Sequence, residues 1–90
     1  MSPAQELRVS FSRVRSLAKR RAVGLETSNH EIAEAYKTFL GLVSKTDPNY
    51  RKARVVTFSG IMYTPETLAD HLEANDKVAV EVIHRWAGTL

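Results

Sequence analysis

The sequence predicts a single small α+β domain, mostly helical, in the order helix, helix, β-hairpin, helix, helix. Three observations carry that prediction. Apolar residues recur at spacings of three and four in four separate segments, the period shortens to two between Arg54 and Thr64, and helix-starting residues with prolines stand between the segments. Ninety residues make one domain, 1–90, because a chain this short buries only roughly 60 to 65% of its unfolded surface and cannot divide that core in two. With 43% apolar and 26% charged residues, the composition is that of a folded protein and not of a disordered one. A domain of this size often gains stability from a second copy, so a homodimer is expected.

The first helix is predicted over residues 4–22, where Ala4, Leu7, Phe11, Val14, Leu17 and Ala18 form one apolar face. Ser2 and Pro3 suit its start and Gly24 its end. Glu6 in the first turn and Lys19, Arg20 and Arg21 in the last complement the helix dipole. The second helix, 29–44, opens on Ser28-Asn29-His30-Glu31, a capping box in which Ser28 serves the amide of Glu31 and Glu31 reaches back. Its core stripe is Ile32, Ala35, Tyr36, Phe39, Leu40 and Val43, and the turn cluster Thr46-Asp47-Pro48-Asn49 ends it.

Over 54–64 the alternation predicts a hairpin with Ser59-Gly60 as its turn. Val56, Phe58, Ile61 and Tyr63 then share one face, which must cover helices or meet a second copy. Thr64-Pro65-Glu66 opens a third helix, 65–74, burying Leu68, Ala69 and Leu72. Asn75-Asp76 breaks it, and Asp76 caps a fourth helix, 76–87, with Val78 or Ala79, Val82, Ile83 and Trp86 on its apolar side. One bent helix from Pro65 to Ala87 is the alternative.

The absence of cysteine removes disulfides, thiolate chemistry and sulfur-ligated zinc together, and a reducing cytoplasm is the expected home. The longest uncharged stretch, Val55 to Pro65, falls well short of the about 20 apolar residues of a membrane span, so a soluble protein is expected. No apolar core follows the N-terminal charges, which argues against a secretory signal. The Arg- and Ser-rich start resembles an organellar transit peptide, but Glu6 interrupts it and its removal would take the first helix.

The charge is segregated. Residues 1–24 hold six cations and one acid, 25–50 two and four, 51–64 three and none, and 65–90 two and five. Arg8, Ser12, Arg15 and Lys19 stand in a row opposite the apolar stripe, with Arg13 and Arg20 to the side. Such a row can follow phosphates, with serine hydroxyls and arginine forks donating to their oxygens. Arg51, Lys52 and Arg54 either extend that row into one patch or are neutralised, like it, by the acidic helices. These eight cations, Arg8, Arg13, Arg15, Lys19, Arg20, Arg51, Lys52 and Arg54, are the candidate nucleic-acid contacts, for non-specific binding by a small regulatory or adaptor protein. The basic face carries no aromatic in this reading, since Phe11 is assigned to the core stripe; Tyr50, beside Arg51 and Lys52, is the one aromatic placed to stack on a base.

The alternative is a protein–protein module, an inhibitor or assembly factor that masks an acidic surface, with Tyr50, Tyr63 and Trp86 as its candidate contacts. A helix-turn-helix from Leu68 to Trp86 fits the apolar spacing. It places Glu73 where the tight turn takes Gly, however, and puts the recognition helix among Asp70, Glu73, Asp76 and Glu81, which repel phosphate. His30 with Glu34 is the best two-ligand fragment for a metal, but no histidine pair has helical ligand spacing. Asp70, His71 and Glu73 lack a nucleophile, a phosphate loop or a paired-carboxylate spacing, so no enzyme, cofactor, metal or small-molecule substrate is predicted.

Overall fold

The computed structural model describes residues 2–53, 56–58 and 61–88. Helix α1 (Pro3–Ala22) starts at a reciprocal cap: Ser2 Oγ accepts from the Gln5 amide at 3.3 Å and Gln5 Oε1 accepts from the Ser2 amide at 3.1 Å. It ends in a Schellman motif. Gly24 takes φ +83, and the amides of Leu25 and Gly24 donate back to the carbonyls of Arg20 and Arg21 at 2.9 and 3.2 Å. Helix α2 (Asn29–Val43) is capped by Ser28, whose Oγ accepts from the Glu31 amide at 3.2 Å. The return contact expected from the Glu31 side chain is not made; a first-turn carboxylate is already favoured by the dipole and can remain in water.

A short helix, α3 (Tyr50–Ala53), follows the Asp47-Pro48 turn, with the Tyr50 amide donating to the Asp47 carbonyl at 3.0 Å. Strands β1 (Val56–Phe58) and β2 (Ile61–Tyr63) pair antiparallel, with Val56 opposite Tyr63, Thr57 opposite Met62 and Phe58 opposite Ile61. The expected turn residues Ser59 and Gly60, and the candidate contact Arg54, lie outside the described residues.

Helix α4 (Pro65–Ala74) is capped by Thr64 in a box closed by Thr67, with amide-to-hydroxyl distances of 3.1 and 3.3 Å. Asn75 then turns left-handed at φ 52, ψ 43, and Asp76 caps α5 (Lys77–Ala87), its Oδ1 accepting from the Ala79 amide at 3.1 Å. Residues 65–87 are therefore two helices and not one bent helix. Asparagine is among the few residues that adopt this backbone at little cost. The helix-turn-helix match fails at this point: Glu73 lies inside α4, and the reversal comes at Asn75.

Four helices close a ring in which α1 packs on α2 and α5, α2 on α4, and α4 on α5. Val14, Ile32, Ala33, Leu68, Leu72, Ala79 and Val82 fill its centre, each 1% exposed or less. The domain is thus mostly helical. Leu7 and Phe11 of α1 are only half-buried and Ala4 is exposed, so the first turns of α1 stand partly clear of the ring. No helix among the described residues is long and apolar enough to cross a membrane.

Asn29 ties three junctions of the ring together. Its Oδ1 accepts from Arg21 Nε at 3.0 Å, and its Nδ2 donates to the Leu72 carbonyl at 3.3 Å and to Asn75 Oδ1 at 2.9 Å. Asn29→Ala should lower stability by about 1–2 kcal/mol, since a half-buried carbonyl loses its donor. A shifted denaturant midpoint with an unchanged slope would show it.

Candidate functional site

A face of α1 carries the candidate site. Arg8, Ser12, Arg15 and Lys19 are all exposed, and at 1.5 Å per residue they extend over about 16 Å of helix. The described ion pairs join His30, Lys37 and His71 to acids. None of Arg8, Arg13, Arg15, Lys19 or Arg20 is paired with a carboxylate among those residues. Arg15 Nε instead donates to the Trp86 carbonyl at 3.4 Å, so the guanidinium is held against the last turn of α5 while keeping its charge.

Beside this row lies an open groove of about 520 Å³, between α1, Phe39 of α2 and the end of α5. Its rim is Arg8, Arg15 and Lys19, with Ser12 and Ser16 between them, and its floor is made by the half-buried rings of Phe11, Phe39 and Trp86. These rings are fixed against one another. Phe11 lies 4.9 Å from Phe39 and 5.8 Å from Trp86, the latter edge-on, and Tyr36 backs Trp86 at 4.9 Å. Burial, with Tyr50 nearby, pushes the Tyr36 hydroxyl above its ordinary pKa, so it stays neutral beneath the floor.

This corrects the expectation that the basic face carries no aromatic. Phe11 sits on the flank of the stripe next to Arg8 and Arg15, and two further rings reach it from other elements. The sequence held half of this signal, in the i, i+4 spacing of Phe11 and Arg15; the contributions of Phe39 and Trp86 depend on the packing of α2 and α5 on α1.

The remaining candidates are dispersed. Arg13 and Arg20 are exposed on α1 but do not line the groove. Arg51 and Lys52 are exposed on α3, which packs on α2 and α4, and the Arg51 guanidinium lies over Gly41 of α2. They do not line the groove either. Tyr50 is half-buried with its ring edge-on to Phe39 at 6.5 Å, and Tyr63 is half-buried with its ring edge-on to His71 at 5.0 Å. Trp86, considered for protein contact, is a groove residue.

A second cluster joins α2 to α4. Both oxygens of the Glu73 carboxylate lie 3.1 Å from His30 Nδ1, Lys37 Nζ donates to it at 3.2 Å, and Glu34 lies 3.6 Å from Lys37 and 4.0 Å from His30. His30, Glu34 and Glu73 bring three potential ligand atoms within 4.8 Å of one another, Glu73 being the member that sequence spacing alone did not supply. Lys37 bridges the two carboxylates, and the geometry is that of a charge clamp between two helices. On the other side of α4, His71 pairs with Asp76 and, with the Ala79 amide, holds its carboxyl below the ordinary range.

Hydrogen bonding from His30 holds the Glu73 carboxyl below its ordinary 4.5, and the same contact raises His30 above 6.5. The carboxylate contribution is lost as pH falls through the depressed Glu73 value, and the imidazolium contribution as pH rises through the raised His30 value. The thermal midpoint of the protein should therefore exceed that of His30→Gln most between pH 4.5 and 6.5, the two ordinary values. The margin should be modest for groups this exposed and should shrink with salt. Paired melting curves across pH check the window.

No protein-family model matches the chain, and neither a curated protein nor a solved structure matches it.

Proposed function

We propose that the protein binds nucleic acid without catalysis, docking phosphates along the exposed face of α1 with no readout of base sequence. The observation that carries this reading is the set of five α1 cations, Arg8, Arg13, Arg15, Lys19 and Arg20, that no carboxylate neutralises among the described residues. The acids of α2 and α4 are partly engaged with His30, Lys37 and His71, leaving the α1 face to act on a partner. Arginine forks and lysine supply charge-assisted hydrogen bonds to phosphate oxygens, and serine hydroxyls fill the spaces between them. Contacts of this kind give micromolar, salt-sensitive affinity.

The apolar floor of the groove favours a second reading, an acidic segment of a protein partner with its apolar side chains turned inward. One experiment separates the two. Immobilised protein incubated in native extract should retain nucleic acid, and nuclease treatment should strip what is retained. A protein partner held in full after nuclease, with no nucleic acid recovered before it, would overturn the first reading in favour of the second.

A further inference from the structure

We propose that the groove between α1, α2 and α5 is a stacking site for an unpaired base, so that the protein prefers single strands to duplex. The proposal rests on the phosphate-docking reading above and deepens it.

Charge complementarity and the lining chemistry select this occupant. Three cations stand on the rim and no acid among the described residues lines the groove, so the chemistry selects an anionic ligand. Three aromatic rings line the same groove as those cations, so a fitting ligand carries a flat or apolar group beside its charge. A nucleotide has that layout: its phosphate would meet Arg8, Arg15 or Lys19 while its base reaches Phe11, Phe39 and Trp86. The volume of about 520 Å³ lies within the range of small-molecule sites and suits a group of nucleoside size. Stacking on rings tolerates any base, because every base has a π-face. A paired base is already stacked inside its duplex and cannot turn into the groove, so duplex would touch only the rim.

Trp86 is the sole tryptophan of the chain, so its fluorescence reports directly on the groove floor. The probes are a thymidine 12-mer, an abasic sugar-phosphate 12-mer and a random-sequence duplex of equal length, each titrated at low salt. The thymidine strand should quench Trp86 emission, whereas the abasic strand should bind through the rim and leave emission nearly unchanged. Affinity for the thymidine strand should exceed that for the abasic strand by about 5- to 150-fold, the range of one stacked base. Phe11→Leu, which keeps an apolar side chain at that position, should weaken the thymidine strand within that range and narrow its advantage over the abasic strand.

Equal affinity for all three probes with unchanged Trp86 emission would overturn the groove proposal and leave phosphate docking standing. No binding of any probe would overturn both. Quenching by an acidic, aromatic-containing peptide but by no oligonucleotide would assign the groove to a protein partner and equally overturn the proposal.

Discussion

Leu72→Ala should remove about 2–5 kcal/mol of stability. Leu72 is fully buried on α4, the helix that packs against both α2 and α5, and its carbonyl also accepts the Asn29 hydrogen bond. Truncation removes the transfer free energy of the side chain and leaves a cavity that surrounding helices of a closed ring can only partly collapse into. A chain of 90 residues has about 4 to 13 kcal/mol of stability in total, so the variant should lose a large share of its folded population on mild heating. Denaturant unfolding measures this directly, with the midpoint moving and the slope constant. Val9→Ala, at a position 58% exposed, is the matched control and should stay within about 0.5 kcal/mol of the parent. A loss below about 1 kcal/mol for Leu72→Ala would contradict the placement of α4 in the core.

Arg15→Glu combined with Lys19→Glu should reduce nucleic-acid affinity by roughly 10-fold or more at low salt and flatten its salt dependence. Each lost phosphate contact removes about 0.9 from the slope of log K against log salt, so five contacts give about −4.5 and three about −2.7. The substituted carboxylates also repel the phosphates that remain. Because both side chains are exposed, stability should move little, apart from the loss of the Arg15 bond to the Trp86 carbonyl. Lys45→Glu with Lys77→Glu changes net charge equally at exposed positions outside the groove. That pair should weaken binding much less, which separates a docking face from a general effect of charge.

The helices were legible because their ends are written locally. Ser2, Ser28, Thr64 and Asp76 each accept an amide of the first turn, and Gly24, Asn75 and Gly88 each take the left-handed backbone beyond a last turn. Four residues of α3 carry too little periodicity to register, so no helix is predicted over Tyr50–Ala53. The Asn29 junction was equally hidden, since its partners lie 8, 43 and 46 residues away in sequence. The basic row was legible as helical spacing, but whether acidic helices neutralised it was a tertiary question. In the structure Glu73 faces His30 and Lys37, and Asp76 faces His71. The aromatic floor was the least legible part, because Phe11, Phe39 and Trp86 become neighbours only when three helices pack.

Phosphate docking requires that the α1 cations be open to a ligand. Fluorescence anisotropy of a labelled random-sequence single strand and duplex, titrated with the protein between about 50 and 200 mM salt, tests it most directly. Micromolar binding with a log–log slope between about −3 and −5 is expected. Absence of binding at the lowest salt, or binding with a slope near zero, would contradict it.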